Sequence, residues 1–177
     1  MATTNLGLDL QNQADPNWHT KNNSNFQKID DFLTLKRCRV YATGVQVITT
    51  ATMTPIYFAE ESYDTDNMHV KTPEPDNSRI TITTAGLYII KGQLAWDVAA
   101  GGRRITFLYR NGAEIARVEG QAVADATAVP TQFLSTDYVC SASDFIQLYG
   151  YHTKGTDQNT KVAGVITSYL MVVRVGF

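Results

Sequence analysis

From residue 37 onward the chain alternates in steps of two rather than in helical steps. The run Gly86 to Trp96 places Tyr88, Ile90, Leu94 and Trp96 on one side of a strand. Leu87, Ile89 and Ala95 fall on the other, with Lys91 and Gln93 between them. A strand with one wet face reads apolar-in and polar-out; this one is apolar on both sides and needs cover on both. Tyr169, Met171 and Val173 against Leu170 and Val172 repeat the pattern, as do Phe145, Tyr149 and Tyr151 against Ile146 and Leu148. Three such strands would leave a patch too large for a lone soluble subunit. Cyclic self-association is the expected cover.

The same alternation predicts strands over Arg39–Ile48, Pro55–Phe58, Arg79–Thr83, Leu87–Trp96, Arg103–Arg110, Glu114–Gly120, Phe133–Cys140, Phe145–His152 and Ser168–Val175. Asn111-Gly112 marks a two-residue hairpin turn. Glu60 to Asn77 reads as a long acidic loop, and Ala122–Gln132 and Thr153–Gly164 as further loops. Many short strands with no helical period after residue 35 describe an antiparallel all-β sandwich or jelly roll.

Residues 1–36 differ. Asn5 to Asn25 is polar and amide-rich, broken by Leu6, Leu8, Leu10 and Trp18, with Asp15-Pro16 marking a turn. A short helix is expected from Ser24 or Asn25, with Phe26, Ile29 and Leu33 on one stripe and Phe32 beside them. About ten residues of helix are marginal alone, so the segment is expected to dock on something. The chain thus divides into an attachment arm, 1–36, and a β domain, 37–177.

Composition narrows the function. Of 177 residues, 44% are hydrophobic and 18% charged, which suits a packed body. A net charge of −2 gives no electrostatic footprint for nucleic acid or an anionic membrane. The opening Met-Ala-Thr-Thr-Asn-Leu-Gly lacks the basic and apolar regions of a secretion signal. No apolar run approaches the ~20 residues of a membrane span. Cys38 and Cys140 match no metal spacing and are expected as reduced thiols.

Catalytic chemistry is not expected. His19, His69 and His152 stand apart, and no serine or cysteine has nucleophile-elbow surroundings. His152 reads as a rim residue at a strand end. Gly101-Gly102-Arg103-Arg104 reads as a hairpin turn with two arginines on opposite faces rather than an anion cradle. Glu60, Asp64 and Asp66 are weak calcium candidates, since their loop follows no known calcium spacing. No cofactor is expected.

One resemblance rests on particular residues. Ile80-Thr81-Ile82-Thr83-Thr84-Ala85-Gly86-Leu87-Tyr88 is similar to the "aGlY" segment of the complement C1q/tumour necrosis factor superfamily. The Asn111-Gly112 hairpin follows an Ile-Thr-Phe-Leu-Tyr strand. Tyr138-Val139-Cys140 then leads through Ser143-Asp144 into Phe145, like the family's "KGD" turn with Ser143 in place of glycine. An aromatic-led strand from Tyr169 ends the chain. The resemblance covers residues 40–177 and implies a C1q/TNF-like jelly-roll homotrimer. It implies that Leu87, Ile89, Phe133, Tyr169 and Met171 line the trimer interface, with Tyr88, Ile90, Leu94 and Trp96 in the subunit core. Lys91 would then face a neighbouring subunit, which requires a partner or a path to solvent.

The arm resembles the start of tailed-phage virion proteins, carried by Asp15-Pro16-Asn17-Trp18 and by Asn22-Asn23-Ser24-Asn25-Phe26-Gln27-Lys28-Ile29-Asp30, an Asn-x-x-Phe-x-x-Ile-Asp helix. That implies a structural protein of the virion, assembled in the host cytoplasm. Leu8, Leu10, Trp18, Phe26 and Ile29 would attach it to other virion proteins. The expected role is a short fibre or receptor-binding tip gripping a host surface glycan or protein, or a capsid decoration (head fibre) protein. The alternative is a soluble bacterial C1q-like module that binds carbohydrate or protein.

Overall fold

The computed structural model describes residues 16–33, 35–71, 76–125, 127–164 and 166–176, without the side chains of Trp18 and of residues 30–33. The chain divides into two compact units, Met1–Leu35 and Lys36–Phe177.

The first unit contains helix α1, Trp18–Leu33. The Lys21 N–H donates to the Asn17 carbonyl at 3.1 Å and closes the first turn, so Asn17 occupies the capping position directly after Pro16. The helix therefore starts at Trp18, not at Ser24 or Asn25 as expected. Thr20 to Asn23 carries no apolar period to announce a helix, yet holds no residue that breaks one.

Among the described residues the second unit contains twelve strands: β1 Arg37–Tyr41, β2 Val47–Ile48, β3 Thr54–Pro55, β4 Glu60–Asp64, β5 Arg79–Thr81, β6 Gly86–Ala95, β7 Arg103–Arg110, β8 Ala113–Gln121, β9 Thr131–Cys140, β10 Phe145–His152, β11 Gln158–Asn159 and β12 Tyr169–Gly176. One sheet runs β4-β1-β12-β6-β9. The other runs β3-β10-β7-β8, with β5 also paired to β10, and β11-β2 forms a small third ladder. All the pairings are antiparallel, and β12 lies between β1 and β6. This is a jelly-roll sandwich.

Parity decides which side of each strand is dry. Along β6 the even residues are buried and the odd ones half-exposed up to Gln93, as expected from Tyr88, Ile90 and Leu94. Val40, Leu170, Val172 and Leu134 share one buried core with Ile146, Leu148 and Leu108 of the other sheet, and with Phe58 and Trp96. At the hairpin between β7 and β8, Asn111 and Gly112 have φ of 50° and 80°. Two left-handed residues in succession give the turn whose twist matches the flanking strands.

Several expected elements are corrected. Arg39–Ile48 is two short strands separated at residues 42–46, and Pro55–Phe58 keeps only its start as strand. Glu60–Asp64, expected as acidic loop, is an edge strand paired to β1 with a bulge at Arg39/Val40. Part of each other expected loop is also strand: Thr131–Gln132 in β9 and Gln158–Asn159 in β11. Strand β10 lies in the opposite sheet from β6 and β12, so its reverse side is no part of their patch. Its Tyr149 packs 5.0 Å from the Tyr109 ring, which lies 6.0 Å from Phe107. The outer aromatics of that sheet cover one another.

Candidate self-association face

Register across the first sheet fixes what its outward side presents. Tyr41, Tyr169, Gln93 and Phe133 form one row; Arg39, Met171, Lys91 and Ser135 the next; Arg37, Val173, Ile89 and Asp137 the third; Leu87 and Val139 close it. Each row steps across neighbouring strands ~4.8 Å apart, so the side chains touch as a continuous surface. Phe133 is 51% exposed and Val139 66%, while Leu87, Ile89, Tyr169, Met171 and Val173 are half-buried. The five residues expected at an interface, Leu87, Ile89, Phe133, Tyr169 and Met171, therefore lie together on one face of one sheet. Val139 and Val173 belong to it too; Val173 was read on the same side of its strand as Tyr169 and Met171, but neither valine was among the residues expected at the interface. Their alternation with Tyr138 and Val172 held the signal.

The edge toward β4 is held by arginines. Arg39 lies 4.4 Å over the Tyr169 ring and donates from Nη1 to Ser62 Oγ at 2.7 Å. Arg37 lies 4.8 Å over the Tyr63 ring. Burial raises the Tyr169 phenol pKa against the opposing pull of the Arg39 cation. These cation–π contacts turn two charges into flat, apolar-sided cover. Lys91 has no such contact. It sits beside Met171 and Ser135 in a shallow depression of about 480 Å³ with Ile89, Thr136 and Asp137.

The acidic residues do not converge. Glu60 pairs with Lys71 at 3.0 Å, and Asp64 accepts the backbone N–H groups of Asp66 and His69 at 3.1 and 2.9 Å. Asp66 accepts from Lys36 at 2.8 Å, from Thr83 and from Thr84. Burial works to raise the Asp66 pKa, but these donors outweigh it and hold the carboxyl below its ordinary range. Among the described residues no group of three or more His, Cys, Asp or Glu side chains is placed to hold a metal.

His152 is fully buried, which corrects its expected place at the rim. Its Nε2 lies 2.8 Å from the Ile48 carbonyl, and its ring meets Trp96 edge-on at 6.0 Å. Beside it, Trp96 Nε1 and Thr106 Oγ1 both donate to Gln132 Oε1, at 3.0 and 2.7 Å. Arg104, 3% exposed, spends its guanidinium on the carbonyls of Gly101 and Arg103 and on Gln158 Oε1. Arg103 points the other way to Glu119 at 2.8 Å, so the two arginines do take opposite faces, but they open strand β7 after a connection from β6 in the other sheet, which corrects the expected hairpin turn. Burial lowers the Arg104 pKa. The polar groups of this cluster are thus spent on one another and on backbone groups.

Cys38 and Cys140 are free and buried. Burial first, then Asp144, push the Cys140 thiol up to about 11; burial raises Cys38 further, helped by Asp64 and Glu61. In the first unit, Phe26 is exposed and Ile29 half-buried on α1. Leu8, Leu10 and the Trp18 side chain lie outside the described residues. No helix among the described residues is long and apolar enough to cross a membrane.

No protein-family model and no curated protein sequence matches the chain. Solved structures do. Murine APRIL superposes with a TM-score of 0.61 at 8% identity, covering 80% of this chain and 100% of that one. The Eiger TNF from S. frugiperda gives 0.59 at 11%, covering 80% and 93%. At such identities the likeness is one of fold. The chain has the antiparallel jelly-roll fold of the tumour necrosis factor proteins.

Proposed function

We propose that this chain is a non-enzymatic structural protein of a tailed-phage virion. Three copies close on the apolar face of the β4-β1-β12-β6-β9 sheet, and residues 1–36 attach the knob to the particle. The observation that carries the reading is that face: Leu87, Ile89, Phe133, Val139, Tyr169, Met171 and Val173 side by side, on the side of the sheet turned away from its own core. Fully burying a side chain of this size gains ~1.5–3 kcal/mol. With roughly half already covered, closure supplies about 5–10 kcal/mol per subunit, the scale of the cost of association. The TNF-like fold supports self-association. The amide-rich arm with its Trp18 and Phe26 supports attachment.

Two tests separate the parts. Native mass spectrometry of the full chain gives three times the 19.6 kDa subunit mass; a single-copy mass overturns the assembly. Electron microscopy of particles labelled with antibody to residues 40–177 places the knob. Label over the shell means decoration, label at the tail tip means a receptor-binding fibre, and no label on any particle removes the virion role.

A further inference from the structure

The outward face of the first sheet carries Arg37, Arg39, Glu60, Lys91 and Asp137 as its charges, and Glu60 is paired with Lys71 at 3.0 Å. The arginines are stacked on Tyr63 and Tyr169 at the β1 edge. Lys91 and Asp137 remain, on β6 and β9, lining one depression with Ile89, Ser135 and Thr136. Neither side chain makes an ion pair within its own subunit among the described residues. Asp137 lies across from Ile89 and Lys91 across from Ser135, so the two are diagonal neighbours across the ladder. Such neighbours are ~7–8 Å apart, within reach of a lysine stem. Both are nevertheless turned outward with their hydrogen-bonding capacity unspent.

Closing the apolar face over an unpaired ammonium and an unpaired carboxylate would cost more than the surrounding contacts return. Paired across the closure, the same two groups cancel. We infer that Lys91 of each copy forms an ion pair with Asp137 of the next, so that a second copy of this chain fills the depression and the pairs fix its register. A heterologous cyclic contact uses each residue once per interface and leaves neither over. The inference rests on the self-association proposed above. It adds which residues choose the partner's position on an otherwise greasy, register-tolerant surface.

Two full-length variants, Lys91→Cys and Asp137→Cys, are unfolded, mixed, refolded and mildly oxidised. Each chain carries one introduced thiol, so any bond between the two sites joins two chains. Peptide mapping is expected to find that disulfide in the mixture. In parallel, Lys91→Asp and Asp137→Lys are each expected to weaken association at least tenfold by sedimentation. Combining both changes in one chain returns association to within about threefold of the unsubstituted protein, whereas mixing the two single variants does not, because a ring of three built from two kinds of chain keeps at least one like-charged contact. An unsubstituted trimer with no disulfide between the sites, or one indifferent to both charge reversals, overturns the pair and leaves the trimer standing. An unsubstituted chain that stays single removes the trimer and the pair together.

Discussion

Asn111 Nδ2 donates to Asp144 Oδ1 at 2.6 Å, joining two tight turns that are 33 residues apart in sequence. The same asparagine accepts the Phe145 N–H at 2.8 Å, and the other Asp144 oxygen accepts the Ser141 N–H at 2.8 Å. Both turns need left-handed residues, Asn111 and Gly112 in one and Ser143 in the other. The side-chain bridge holds them in that conformation.

Removing the bridge has a defined acid signature. Burial works to raise the Asp144 pKa, but the Ser141 N–H, the Asn111 amide and the Arg110 cation outweigh it and hold the carboxyl below its usual value. A depressed folded-state pKa stabilises the fold above the unfolded-state value of ~3.9, and that stabilisation is lost as pH falls through the folded-state value. Denaturant unfolding at pH 7 is expected to show Asp144→Ala destabilised by about 1–3 kcal/mol. Between pH 5 and 2, Asp144→Asn should lose less stability than the parent. Parallel losses across that range would refute the assignment.

Ser143 offers a gain. Its φ of 73° is a conformation that strains a residue with a Cβ. Ser143→Gly removes roughly 1–2 kcal/mol of strain and returns part of it, about 0.4–1 kcal/mol, as freedom in the unfolded chain. A net rise of up to about 1 kcal/mol in thermal or denaturant unfolding is expected. A fall would show that the serine is not strained.

Two glycines should respond in opposite ways to the same methyl group. At Gly102, with φ of 72°, an added Cβ would lie 2.6 Å from the Thr153 carbonyl carbon and oxygen, and backbone cannot rotate away. Gly102→Ala is expected to cost about 2–4 kcal/mol, from left-handed strain together with overpacking. At Gly44 nothing lies within 4 Å. Gly44→Ala should stay within about 0.5 kcal/mol.

Phe133→Asp tests the face with little harm to the subunit, because half of that side chain is already exposed. The variant should keep its β-rich circular dichroism, sediment as a single copy, and lose the concentration dependence of Tm that an assembly imparts. A variant that still forms trimers would move the interface elsewhere.

Strand β6 was legible because its two-sided apolar pattern has one reading, and the face parity of Tyr88 against Leu87 followed directly. The Asn111-Gly112 turn was legible because few dipeptides accept two positive φ values. Strand β4 was not. Glu-Glu-Ser-Tyr-Asp has no apolar alternation, since an edge strand needs only backbone pairing on one side and charge on the other. His152 looked like a rim residue; only the fold reveals the Ile48 carbonyl that takes it in. The start of α1 was missed for a related reason: Asn17 caps by geometry, ahead of any apolar stripe. Lys91 was visible as an oddity in an apolar strand, whereas its shared hollow with Asp137 required the register of β6 on β9.

The burial of Cys38 and Cys140 leaves the native surface chemically silent toward maleimides and other thiol reagents, because a shielded thiol kept protonated does not react. A fluorophore or spin label placed anywhere on this molecule through an introduced cysteine would therefore report from one known site, with the endogenous sulfurs left in place to fill the interior.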